Sequence, residues 1–139
     1  MTNTLYPLYK QALITESAAN AGLDQLDPNA PYLALMHLAG GYVYNSSHQF
    51  FTDLTNIIGT PVALTGTSVL NGLFRANTAV FAGVTGASFD GLVIYRQSSL
   101  ANSNWRLVLY EDLGIIGLPI TPNGGNIIIT WDVAGVFQL

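Results

Sequence analysis

His37 and His48 are the two imidazoles of the chain, and there is no cysteine. General acid–base work or metal binding would therefore fall on two histidines and a few carboxylates. His37 lies inside an apolar run and reads as a core or interface residue. His48 reads as a surface residue at the start of a short helical segment. Neither has a second histidine at metal-ligand spacing. Glu111-Asp112 is the one adjacent acidic pair. On a strand, neighbours point to opposite faces, so the pair reads as a solvated strand end and not as a catalytic dyad. Asp24 and Asp27 flank a loop but lack the further carboxylates of a calcium-binding loop. Trp105 and Trp131 read as core residues, with interface anchors as the alternative. Phosphate-binding loops, the nucleophile elbow and the dinucleotide fingerprint are all missing. No catalytic, cofactor-binding or metal-binding residue is expected. An enzyme would need a pocket in which His37 or His48 meets a carboxylate, and the chain is read as a non-enzyme.

Charge sets the next limit. The 139 residues carry four basic and eight acidic side chains, or 9% charged, with a net charge of −4. An average soluble domain carries about 25%. Half the residues are apolar, and the mean hydropathy is +0.37. Two readings fit. Much of the surface is buried against copies or partners, or Asn, Thr, Ser and Gly supply neutral polar cover. Lys10, Arg75, Arg96 and Arg106 are scattered, so no basic patch exists to neutralise phosphates. Neither nucleic acid nor membrane is an expected partner. The apolar stretch from Tyr32 to Tyr44, about 13 residues broken by glycines, is short of the roughly 20 that span a bilayer. Residues 1–4 do not resemble a secretory signal.

Leu5, Leu8, Tyr9, Ala12 and Leu13 recur at helical spacing. They predict a helix from about Leu5 to the Ala18-Ala19 region, with Thr4 as N-cap and Pro7 in the first turn. Residues 24–31 are turn-like. Residues 32–38 form a nearly all-apolar strand candidate. Ser47 would cap a short helical segment over 48–54. Beyond Pro61 the pattern becomes extended, with strand candidates at 62–64, 73–81, 91–97, 105–112, 126–132 and 133–139. Ile127, Ile129 and Trp131 alternate with Ile128, Thr130 and Asp132, as a half-buried strand should. Trp105, Leu107 and Leu109 alternate with Arg106, Val108 and Tyr110 in the same way. Asn123-Gly124-Gly125 suits a tight reversal. The expected fold is α+β and mainly β: an N-terminal helix followed by a largely antiparallel sheet or sandwich, in one domain over residues 1–139.

The second half also carries a likeness. Phe81-Ala82-Gly83-Val84-Thr85-Gly86, Gly91-Leu92-Val93-Ile94-Tyr95-Arg96 and the run from Gly117 to Asp132 resemble small virion structural proteins of tailed bacteriophages. The likeness covers about residues 80–139 and holds only in outline before that. Where that family usually has Lys-Asp after the Ile-Tyr pair, this chain has Arg96-Gln97-Ser98-Ser99. The resemblance implies a place in the virion and supplies no catalytic residues.

With the scarcity of charge, it leads to the expectation of a capsid decoration, or cement, protein that stabilises a shell by binding capsid subunits. The expected partners are the major capsid protein or other virion proteins, with homo-oligomer or multi-copy assembly. The alternatives are a neck or tail component, or a carbohydrate- or receptor-binding β module displaying Trp and Tyr. Residues 98–104, the N-terminal residues before Tyr9 and residues 40–47 are the expected contact segments.

Overall fold

The computed structural model describes residues 4–14, 31–36, 41–97, 105–112 and 118–138. His37, Asp24, Asp27 and residues 98–104 lie outside these, as do the expected helix beyond residue 14 and the chain's last residue.

An uninterrupted apolar segment of the second half forms the centre of the main sheet. β7 (Gly91–Arg96) pairs antiparallel with β2 (Pro31–Met36) on one side and with β8 (Arg106–Glu111) on the other. β3 (Ile57–Ala63) extends the sheet beyond β2, and β1 (Thr4–Leu5) extends it beyond β8, giving the order β1-β8-β7-β2-β3. Leu92, Val93, Ile94 and Tyr95 are all buried, so both faces of β7 are covered, and strands of this kind lose the polar alternation. Gly91 opens the strand because Tyr110 crosses it. A Cβ there would lie 2.9 Å from the Tyr110 hydroxyl.

Two smaller antiparallel units complete the described fold. β4 (Ser68–Leu70) and β5 (Leu73–Arg75) form a hairpin, joined on the β5 edge by β10 (Phe137–Gln138). Asn71 and Gly72 make the turn with φ of 52° and 78°. Two consecutive positive φ values match the twist of paired strands, and Asn-Gly tolerates them best. β6 (Ala79–Phe81) pairs with β9 (Ile127–Ile129) as a ribbon. One cluster of buried apolar side chains draws on all three units, including Leu92, Phe74 and Phe81.

Several local expectations are corrected. Leu5 is in a strand paired with Leu109, and helix α1 (Pro7–Ile14) begins after it. The Thr4 hydroxyl bonds to the Leu5 carbonyl and does not cap the helix. In place of a helix over 48–54 there is a single 3-10 turn, Phe51–Asp53. The Asp53 carboxylate accepts the backbone N–H groups of Gln49 and Phe50, and this closes the turn on itself. The span 73–81 is two strands, β5 and β6, and the edge strand β4 lies ahead of them. Of the described residues 133–138, Phe137–Gln138 form the strand, with Val136 N–H also bonded to the Phe74 carbonyl. A turn at 132–135 precedes it, with Ala134 N–H held by the Asp132 carboxylate.

Candidate functional site

The β6–β9 ribbon has one face in the core and one outside. Ala79 and Phe81 on β6, with Ile127 and Ile129 on β9, point inward and are buried. Val80 and Ile128 are register partners on the opposite face, at 47% and 59% exposure. The solvent side of the ribbon thus carries an apolar cross-strand pair. The ribbon is extended by Val84 N–H to the Gly125 carbonyl at 3.0 Å and Gly124 N–H to the Val84 carbonyl at 2.8 Å. Residues 81–84 and 124–127 thus lie side by side at this ribbon.

The outward face continues past Val80 and Ile128 to the exposed Thr78 and Thr130. Both threonines line a hollow of about 360 Å³ between the ribbon and the β4–β5 hairpin, together with Arg75, Asn77, Asp132 and Val133. Trp131 lies at its base, buried, with its indole N–H donating to the Asn77 carbonyl at 3.0 Å. The Asn77 side chain covers Gly66 so closely that a Cβ there would collide with it, and Gly66 also has a positive φ of 58°. Val133 is carried outward by the 132–135 turn and is 93% exposed. From Val80 to Val133 the surface offers methyl groups and hydroxyls, with Arg75 and Asp132 only at its hollow end.

A second constellation lies at the far edge of β8. Residues 49–51 join that edge beside β1: Leu107 N–H reaches the Gln49 carbonyl, and Phe51 N–H reaches the Trp105 carbonyl. Arg106 is buried there, donating to the Gln49 side chain at 2.6 Å and lying over the Phe50 ring at 4.7 Å. Beneath this edge, Tyr6, Tyr42, Tyr44 and Tyr110 pack ring against ring. The Tyr6 and Tyr42 hydroxyls are 2.7 Å apart, and the Tyr42 hydroxyl is 2.9 Å from His48 Nδ1. Burial, first of all, raises both tyrosines well above the phenol range, Tyr42 to about 12. Burial alone would also raise Asp53. Its hydrogen bonds from Phe50 and Gln49, with the charge of His48, outweigh that and hold it below the usual carboxylate range.

His48 is therefore half-buried and bonded inward, not a surface residue at a helix start. Glu111 is not a solvated strand end. It is buried, and burial, with Asp112 and Asp132 nearby, pushes its carboxyl up to about 8. Of the expected contact segments, the described residues 4–8 have Tyr6 fully buried and only Pro7 exposed. In 41–47 only Val43, Asn45, Ser46 and Ser47 are exposed. The expected contact segments do not include the ribbon face, whose sequence signal is the outward position of Ile128 between two inward isoleucines. Among the described residues, no group of three or more His, Asp or Glu is placed to hold a metal ion. No protein-family model matches the chain, and no curated protein matches it.

Proposed function

We propose that the chain is a structural component of a tailed-bacteriophage virion, a capsid decoration protein that stabilises the shell by bridging neighbouring capsid subunits. The observation that carries this reading is the uncharged outward face of the β6–β9 ribbon, where Val80 and Ile128 stand exposed in register. Such a face gains by covering area and not by pairing charges, and many copies on a repeating shell add avidity without individually strong contacts. Two of the three phage-like segments contribute to this ribbon, through Phe81 on β6 and Ile127–Ile129 on β9, while Gly91–Arg96 is β7 of the main sheet. In this reading the three sheets wrap one core as a curled sandwich, α1 packs at its N-terminal edge, and the ribbon is the side turned toward the capsid.

The carbohydrate-module alternative needs Trp105, Trp131 or several tyrosines exposed in one shallow patch, and Tyr6, Tyr9, Tyr42, Tyr95 and Tyr110 are buried. Trp131 is buried, and Trp105 is half-buried, stacked on Tyr95 and edge-on to Phe51. The decoration reading is therefore the better supported.

Counting copies in purified virions by mass spectrometry tests it. Hundreds of copies support decoration. About six or twelve, the numbers of ring assemblies, point to neck or tail. Absence from virions removes the reading.

A further inference from the structure

We propose that His48 latches the N-terminal segment, β1 and the first turn of α1, onto the sheet, and that protonation of His48 releases the latch. The latch is the chain of polar groups Tyr6, Tyr42 and His48, and it has a direction. A phenol oxygen accepts two hydrogen bonds and donates one. The Tyr42 oxygen is already approached by the backbone N–H of Asn45. With neutral His48 offering the Nδ1 lone pair, Tyr42 donates to His48 and accepts from Tyr6. Both phenol protons then have an acceptor, and His48 carries its proton on Nε2.

Protonated imidazole has N–H at both nitrogens. Nδ1 then becomes a donor toward Tyr42, which already receives the Asn45 N–H. Tyr42 must turn its proton toward Tyr6. The Tyr6 proton is then left at a residue with 0% exposure, walled by Tyr44 and Tyr110, with no other hydrogen-bond partner among the described residues. A buried hydroxyl without an acceptor is costly, and it is avoided by moving Tyr6 out.

Tyr6 is the pivot of the segment. Its N–H reaches the Val108 carbonyl, and its own carbonyl accepts the N–H groups of Tyr9 and Lys10, which start α1. Among the charged groups nearby, the Asp53 carboxylate favours the cationic imidazole, whereas Arg106, bonded to the neighbouring Gln49, opposes it. Tyr6, Tyr42 and Tyr110, all raised by burial, are neutral when the latch is closed.

Amide hydrogen exchange, corrected for intrinsic rates, reads the latch directly. On going from neutral to mildly acid solution, protection of the Tyr6, Tyr9 and Lys10 amides should fall by about tenfold, while that of Leu92, Val93 and Ile94 holds. His48→Asn keeps an acceptor near the Nδ1 position but does not titrate, so its segment should keep its protection across the same range. Glu111 and Asp53 titrate in both proteins, so the difference between them isolates His48. Protection independent of pH in the unaltered protein, or the same acid loss in His48→Asn, would overturn the latch. Should His48→Asn not fold, the nitrogen spectrum of the unaltered protein decides. A neutral His48 with its proton on Nε2 upholds the latch, and one with its proton on Nδ1 refutes it.

Discussion

β8 and β9 carry similar alternating sequences, yet they are exposed very differently. Every residue of β8 from Arg106 to Glu111 is buried, including the two charged ends. In β9 burial alternates, with Ile127 and Ile129 inside and Ile128 outside. The difference lies in neighbours. β8 has β7 on one edge, β1 and residues 49–51 on the other, and side chains over both faces. β9 has β6 alone among the described strands. Alternation in a sequence says which residues share a face. Whether the second face meets solvent depends on what the rest of the chain brings to it.

The tryptophan of the ribbon gives the largest test of this contrast. Trp131→Ala removes a buried ring and leaves the Asn77 carbonyl without its donor, so it should cost about 3–5 kcal/mol in chemical denaturation. Trp105→Ala, at a half-buried ring, should cost clearly less. Equal and small losses would place both rings at the surface and revive the binding-platform reading.

Glu111 tests the closed strand. Its folded-state value is raised to about 8 from an ordinary 4.5, by burial first and by Asp112 and Asp132 next. The folded protein therefore holds a proton that the unfolded chain has lost. The associated stability is complete below about pH 4.5 and is lost as pH rises through about 8, at up to roughly 1.4 kcal/mol per unit. Glu111→Gln should flatten that decline and raise the melting temperature at pH 8. A wild-type profile without any decline in that window would mean that β8 is open to water at its end.

A smaller effect is expected at the hairpin beside the hollow. Gly72, with φ of 78°, would be strained by a side chain, and Gly72→Ala should cost about 1–2 kcal/mol in thermal melts. No loss would show that the turn adapts and that the wall of the hollow is soft.

These regions differ in how far they were legible beforehand. The strand through Gly91 and Tyr95 was readable as an unbroken apolar run, and the inward face of Ile127, Ile129 and Trp131 as a period of two. Leu73 to Phe81 reads as one extended run, and this hides the β4–β5 hairpin. Asn71-Gly72 between Leu70 and Leu73 was the local signal for it. The spacing of Phe50, Phe51 and Leu54 imitates a helical face, but Asp53 captures two backbone donors and tightens the segment into a single turn. Tyr6 and Tyr42 meet across 36 positions, and Glu111 is buried by its cross-strand context. Contacts over such separations leave no periodic trace in a sequence.

The central claim is that the outward ribbon face serves assembly and not folding, and Val80→Ser combined with Ile128→Ser tests it most directly. Both side chains are exposed, so stability should shift by no more than about 0.5 kcal/mol. Virions stripped of the protein are then supplied with the unaltered chain or the double variant, and occupancy is measured from low to molar salt. The account predicts that the unaltered chain binds at every salt concentration, because apolar and neutral polar contacts are little screened, and that the folded double variant fails to bind. Full occupancy by the double variant, or collapse of the unaltered protein's occupancy in modest salt, would contradict it.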